Sequence, residues 1–201
     1  MPPSEALGVT ALNPGACALF IIVGFTCAGG AHVIWLRSSF SRRFAVPIDL
    51  GVTLRGHRLF GDNKMWRGFL VIIPATAASF FVLSQILRGV GHSSLGLWPL
   101  GPAAYAGLGA WTALGFMIGE LPNSFAKRQL GVPPGGTAPG RMGLLFRLAD
   151  RLDSVLGVLI ALALVVPVPV DTWAYILLAG PIIHLGFSAS LYLVGVKPRV
   201  A

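Results

Sequence analysis

The chain has 201 residues, 55% hydrophobic and 11% charged, with a formal net charge of +8. An ordinary soluble domain carries roughly 25% charged residues, and a mean hydropathy of +0.77 excludes both a water-soluble globule and a disordered chain. The positive charge sits in short segments between long apolar runs, not along one continuous basic face, so no nucleic-acid partner is expected.

Uncharged runs cover 6–36, 68–87, 89–119, 154–170 and 172–196, and a helix needs about 20 mostly apolar residues to cross a bilayer. The expectation is an all-α integral membrane protein, one membrane domain over 1–201, with five transmembrane helices. The spans are expected at 14–36, 68–87, 102–121, 153–168 and 172–195, with cytoplasmic segments at 37–67 and 122–153. No run reads as a removable signal peptide, because Glu5 is the only charge before Arg37. Cys17 and Cys27 fall in the first run and read as small apolar residues packed in a helix. Span 2 contains Pro74. Span 3 ends at Glu120-Leu121-Pro122, where the proline should break or kink the helix. The run Gly131–Gly136 and the pair Pro139-Gly140 cannot continue a helix. From Leu144 to Asp153 an amphipathic stretch leads from the membrane surface into span 4, which ends at Pro167 and Pro169. Span 5 contains Pro181.

The basic residues give the orientation. Seven of fifteen lie in 37–67, five in 127–151 and two at Lys197 and Arg199; only Arg88 falls elsewhere. Basic residues collect on the cytoplasmic side, so the N-terminus is expected outside and the C-terminus inside, in the cell membrane. Five of the seven acids lie in the cytoplasmic segments or at the cytoplasmic interface: Asp49, Asp62, Glu120, Asp150 and Asp153. Solubility alone does not require both signs in the same two segments. A site for a metal–phosphate complex does, since carboxylates hold Mg²⁺ and Lys or Arg hold phosphate oxygens. Asp150 and Asp153 are neighbours on one helix face, and a plainer reading leaves them solvated beside Arg147 and Arg151. The segment 55–68 places cations among Gly56, Gly61 and Gly68, but its spacing is not that of a P-loop. His32, His57, His92 and His184 share no ligand spacing, and the ionisable residues do not sit mid-bilayer as a transporter requires.

Three ordered blocks then resemble those of the CDP-archaeol synthase family. Phe60-Gly61-Asp62-Asn63-Lys64-Met65-Trp66-Arg67-Gly68 resembles its GD-x-K-T-W-R-G block. Gly119-Glu120-Leu121-Pro122-Asn123-Ser124-Phe125-Ala126-Lys127-Arg128 resembles its GD-x3-SF-x-KR block, and Asp150-Arg151-Leu152-Asp153-Ser154-Val155-Leu156-Gly157 its D-Q-L-D-x-V-L-G block. The last two are also similar to the signature of the wider CDP-diacylglycerol synthases. Glu120 departs from the family's Asp, Met65 from its Thr, and Pro122-Asn123 from less helix-breaking residues.

The resemblance implies a cytidylyltransferase that moves CMP from CTP to a membrane lipid phosphate, with Mg²⁺, releasing pyrophosphate at the cytoplasmic face. It implies Asp150, Asp153 and Glu120 as metal ligands. Lys127, Arg128 and Ser124 would hold CTP phosphates, and Lys64 and Arg67 the lipid phosphate or pyrophosphate. Asp62 would orient those cations or join the metals. No protein partner is evident. The competing expectation is a non-catalytic membrane protein that binds anionic lipid through its basic loops.

The charge distribution predicts that a reporter fused at Ala201 reads cytoplasmic and one placed in 88–100 reads external. Labelling of Asp150 and of the 88–100 connection from the same side would contradict the five-span arrangement.

Overall fold

The structure is a computed structural model that describes residues 11–89, 95–193 and 195. Glu5, His92, Lys197, Arg199 and Ala201 lie outside the described residues. Five long helices dominate: α1 (Pro14–Arg37), α2 (Trp66–Arg88), α3 (Pro102–Gln129), α4 (Gly140–Ala163) and α5 (Val170–Leu193). Between α1 and α2 lie a 3₁₀ turn at Phe40–Phe44 and a two-residue antiparallel hairpin, β1 (Thr53–Leu54) with β2 (His57–Arg58).

Local chemistry accounts for the helix ends. Asn13 caps α1, its side chain accepting from the Ala16 amide at 3.0 Å, and Pro14 supplies a preset first-turn φ. Pro102 does the same for α3. At the far end of α3 the Val132 amide returns to the Lys127 carbonyl at 2.9 Å, and Gly131 at φ 74° turns the chain out of the helix.

Two boundaries differ from the sequence expectation. Pro122 does not end α3, which continues for two further turns to Gln129. One proline deletes one backbone donor; the packing of α3 against α4 on both sides of it keeps the helix going. The surface stretch at 144–153 and span 4 form the single helix α4. It stops at Ala163, and residues 164–169 are irregular ahead of α5.

The helices close a ring in the order α1–α2–α3–α4–α5–α1. α1, α2 and α5 are each long and apolar enough to cross a membrane; α3 and α4 carry the charged residues described below. The polarity of the bundle is that of a protein in hydrocarbon. Thr76, Ser84, Thr112, Thr172 and Ser188 are buried, while Leu19, Ile34, Ile86, Leu178, Ile182 and Leu193 face outward. Thr76 and Thr112 donate to helix carbonyls one turn back, at 2.7 and 2.8 Å, the usual way to satisfy a hydroxyl away from water. Cys17 is buried as expected, but Cys27 faces outward, where a small apolar side chain is equally at home against lipid.

One end of the ring is sealed by an aromatic core. Phe20 meets Phe80 edge-on with centroids 5.0 Å apart and lies 4.8 Å from Tyr105. The Tyr105 hydroxyl donates to the Trp98 carbonyl at 2.7 Å, and the Trp98 indole donates to the Pro167 carbonyl at 2.8 Å. The polar site lies at the other end.

The closest backbone approach joins α3 to α4. Gly115, Gly119 and Gly157 let the two main chains touch: a Cβ on Gly119 would lie 2.5 Å from the Asp153 carbonyl oxygen and 3.0 Å from Gly157 Cα. Gly115 and Gly119 are a GxxxG pair, the small-residue seam by which membrane helices associate. Gly119→Val should therefore lower stability by about 1–3 kcal/mol, as overpacking does. Gly30→Ala, where a Cβ meets nothing within 4 Å, should be neutral or mildly stabilising. Thermal unfolding in detergent distinguishes the two; equal effects would contradict the seam.

Candidate active site

The segment between α1 and α2 has no apolar core of its own and is organised around one carboxylate. Asp49 is buried and accepts from the amides of Phe60 and Gly61, each at 3.0 Å, and of Gly51 at 3.2 Å. Arg58 forms an ion pair with it. Burial alone would raise this carboxyl's pKa. The Arg58 guanidinium and the three amides outweigh burial and hold it well below the usual carboxylate range.

The ends of the segment are clipped together by the Ile48 amide on the Lys64 carbonyl and the Trp66 amide on the Val46 carbonyl, both at 2.9 Å. Gly61, at φ 84°, approaches α3 so closely that a Cβ would lie 3.0 Å from Arg128 Nε and from Pro134 Cγ. These contacts place Lys64 against α3, where its ammonium pairs with Glu120.

From Glu120 onward one face of α3 is polar. Glu120, Asn123, Ser124 and Lys127 recur at helical spacing, and the seam sets that face against α4. Asn123 Nδ2 donates to Asp150 Oδ1 at 2.7 Å and to Asp153 Oδ2 at 3.1 Å. Lys127 binds Asp150 and lies 5.5 Å from the Phe146 ring centroid. Asp153 Oδ1 also accepts from its own helix at Ser154 N, 2.7 Å, and Glu120 and Lys64 lie within electrostatic reach of it. The result is a strip in which three carboxylates and one amide lie between two lysines: Lys64, Glu120, Asp153, Asn123, Asp150, Lys127.

The structure thus brings together Lys64, Glu120, Lys127, Asp150 and Asp153, with Ser124 on the same face of α3. Arg67 sits in the first turn of α2, its carbonyl accepting from the Trp35 indole at 3.1 Å. Asp62 pairs with Arg58 at 3.0 Å. Arg128 is buried and donates to the carbonyls of Phe60, at 3.2 Å, and Val132. Sequence reasoning missed two residues. Asn123 was visible only as a departure from the family block, although its place three residues after Glu120 and four before Lys127 put it on the same face. Asp49 was one unassigned acid, and its role depends on a loop that has no periodicity to read.

The donor set suits Mg²⁺ in one respect. Two carboxylates converge on a single amide nitrogen, and Mg²⁺ is ordinarily held by one or two carboxylates, with substrate phosphates and water completing the shell. Among the described residues no group of three acids, histidines or cysteines lies close enough to hold a metal by itself. Glu120, one turn from Asn123, is engaged by Lys64.

Apolar helices around such a strip define a multi-pass membrane enzyme. The sequence matches the CarS-like, CDP-archaeol synthase, family over residues 43–200, and the chain belongs to that family. It is 36% identical over 158 residues to the CDP-archaeol synthase of Halobacterium salinarum, covering 75% of this chain and 81% of that protein. It is 31% identical over 196 residues to the CDP-archaeol synthase of Thermofilum pendens, covering 94% and 83%. A solved structure described as an intramembrane enzyme for archaeal membrane lipid biosynthesis superposes with a TM-score of 0.58 at 27% identity, over 84% of this chain and 90% of that one. The chain is accordingly a CTP-using cytidylyltransferase that makes a CDP-activated lipid, and the non-catalytic alternative is left without support.

The depressed pKa of Asp49 gives a pH dependence. Its contribution to stability is complete above the ordinary aspartate pKa of about 3.9 and is lost as pH falls below that toward the lower folded value. Asp49→Asn should unfold at lower temperature than the parent at pH 7, by the equivalent of about 1–3 kcal/mol. Its melting temperature should also change less between pH 5 and pH 3. Parallel curves for the two proteins over that range would remove Asp49 as the organising charge.

Proposed function

We propose that the strip transfers CMP from CTP to a phosphorylated membrane lipid at the cytoplasmic face of a five-span bundle, with Mg²⁺. The observation that carries this reading is the convergence of Asp150 and Asp153 on Asn123, flanked by Lys127 on one side and by Lys64 with Glu120 on the other. Fourteen of fifteen basic residues support the orientation.

The chemistry follows from charge. An oxygen of the lipid phosphate bonds to the α-phosphorus of CTP while the bond from that phosphorus to the bridging oxygen breaks, and pyrophosphate leaves with the electron pair. Both reactants are polyanions, so positioning and neutralisation are the main tasks. Lys127 neutralises the CTP phosphates, with Ser124 hydrogen-bonding one oxygen. Lys64 and Arg67 hold the lipid phosphate or the leaving pyrophosphate. Asp150 and Asp153 would hold Mg²⁺, with substrate phosphates and water completing its shell and Glu120, paired with Lys64, joining them only if that pair opens; the ion would supply Lewis-acid charge at the phosphate oxygens. Lys64 with Glu120 and Lys127 with Asp150 are already paired, while Asp153 is met by the Asn123 and Ser154 amides; a metal–phosphate ligand would exchange those pairings and bring a cation to Asp153. No general base is required, because a phosphate monoester is already largely ionised near neutral pH. The lipid tails lie between helices and enter from the cytoplasmic leaflet. The lipid is an archaeol-like ether lipid, by analogy with the named relatives, or its diacylglycerol counterpart.

The test is pyrophosphate release from CTP by purified protein in detergent with a lipid phosphate acceptor. Chelation of Mg²⁺ should abolish it. Asp153→Asn should lower turnover at least 10²-fold, roughly 2.7 kcal/mol of barrier, while the protein still inserts and purifies. Lys127→Ala should mainly raise the KM for CTP and Lys64→Ala that for lipid phosphate, each by about 1.5–3 kcal/mol for a lost charge-assisted hydrogen bond. Full turnover in Asp153→Asn would move the metal elsewhere.

A further inference from the structure

Asn123 is the uncharged member of the strip, and it stands where a cation belongs. Its Nδ2 lies 2.7 Å from Asp150 Oδ1 and 3.1 Å from Asp153 Oδ2. Asp150 is also paired with Lys127, whereas none of the described ion pairs includes Asp153. Two carboxylates from neighbouring turns of α4 thus share one neutral amide. A neutral N–H offsets only part of a carboxylate's charge. Glu120 is held by Lys64, and among the described residues no three acids, histidines or cysteines lie close enough to hold a metal. The two carboxylates lack a third oxygen donor, and the side chain between them carries one.

A carboxamide has a donor end and an acceptor end on the same carbon. Its last torsion is broad and roughly two-fold, so a half-turn exchanges Nδ2 and Oδ1 in place. Among the described residues the hydrogen bonds of the Asn123 side chain are the two to Asp150 and Asp153, and no third one resists that turn. The backbone has no need to move, because the seam of Gly115, Gly119 and Gly157 already sets this face of α3 against α4. A side-chain amide oxygen ligates Mg²⁺ beside a carboxylate in other phosphoryl-transfer sites. A carboxylate at position 123 would repel Asp150 and Asp153 whenever the metal is absent, and a hydrocarbon side chain would serve neither state. An amide serves both.

We infer that Asn123 is a two-state ligand of the site: its Nδ2 bridges Asp150 and Asp153 in the metal-free protein, and its Oδ1 turns to join them on the divalent cation. The bridge keeps two like charges together before the ion arrives, so the carboxylates need not be gathered at the moment of binding. The ion then displaces two hydrogen bonds and gains a neutral oxygen in their place. This assignment rests on the reading of Asp150 and Asp153 as the Mg²⁺ carboxylates.

The experiment measures binding of Mn²⁺, a paramagnetic stand-in for Mg²⁺, by electron paramagnetic resonance on the full-length protein in detergent without nucleotide. Asn123→Ala should bind Mn²⁺ roughly tenfold or more weakly than the parent, and Asn123→Asp at least as tightly as the parent. Without metal, Asn123→Asp should melt below the parent, and it should gain more from added Mg²⁺, because its third carboxylate is then neutralised. In turnover, Asn123→Ala should need more Mg²⁺ for half-maximal pyrophosphate release. An amide that only donates would compete with the ion, so parent-like or tighter Mn²⁺ binding by Asn123→Ala would overturn the assignment. Weaker binding by Asn123→Asp than by the parent would overturn it independently, as would no Mn²⁺ binding by the parent. Those outcomes leave CTP-dependent pyrophosphate release standing. Conversely, the expected order of Mn²⁺ affinities in a protein that releases no pyrophosphate would keep the ligand and remove the activity.

Discussion

The contact on which the site depends is the one between the backbones of α3 and α4. Gly115, Gly119 and Gly157 have no side chains to hold the helices apart, and an added Cβ at Gly119 would lie 2.5 Å from the carbonyl of Asp153. At that separation the amide of Asn123 reaches carboxylates on both turns of α4, and Lys127 reaches Asp150. Association of membrane helices has no hydrophobic drive of the kind that folds soluble bundles, so close packing and polar contacts must supply it. In this protein the packing seam and the polar strip are consecutive stretches of the same two helices, and each holds the other in register.

The remaining helices give that pair its setting. α1, α2 and α5 turn large aliphatic side chains outward and keep hydroxyls inward, and the Phe20–Phe80–Tyr105 cluster closes the ring at one end. Apart from Arg88 and Asp171, the described charges lie at the other end. Within it, every ion pair described joins the segment before α2 or a helix to a neighbouring element or a neighbouring turn: Lys64 with Glu120, Lys127 with Asp150, Arg58 with Asp49 and Asp62. Such pairing answers the cost of half-burying single charges near a bilayer. It also sets cations beside carboxylates, the pairing that the proposed metal–phosphate ligand would exchange.

Much of the site was legible because its blocks are contiguous. Glu120, Ser124 and Lys127 share a helix face, as do Asp150 and Asp153, and helical periodicity is the most direct signal a sequence carries. The family membership was legible for the same reason, since three contiguous blocks carry the resemblance, and the family match extends over residues 43–200. Pro122 was misleading. A proline marks where a helix loses a bond, but whether it ends the helix depends on what packs beside it, and α4 packs there. Asn123 looked like a departure from the family and proves to be the bridge between the carboxylates.

The sequence by itself determined the membrane class, the number of long helices, the segregation of charge and the residues from which the site is drawn. These follow from composition and from periodicity, which are properties of neighbours along the chain. Tertiary structure alone decided that Asp49 organises the segment before α2, that Arg128 is a buried tie between two loops, and that Lys64 meets Glu120. Each of these joins residues far apart in sequence, or within a loop that has no repeating pattern. Their distances depend on how closely backbones pack, and packing is settled only when the whole ring closes.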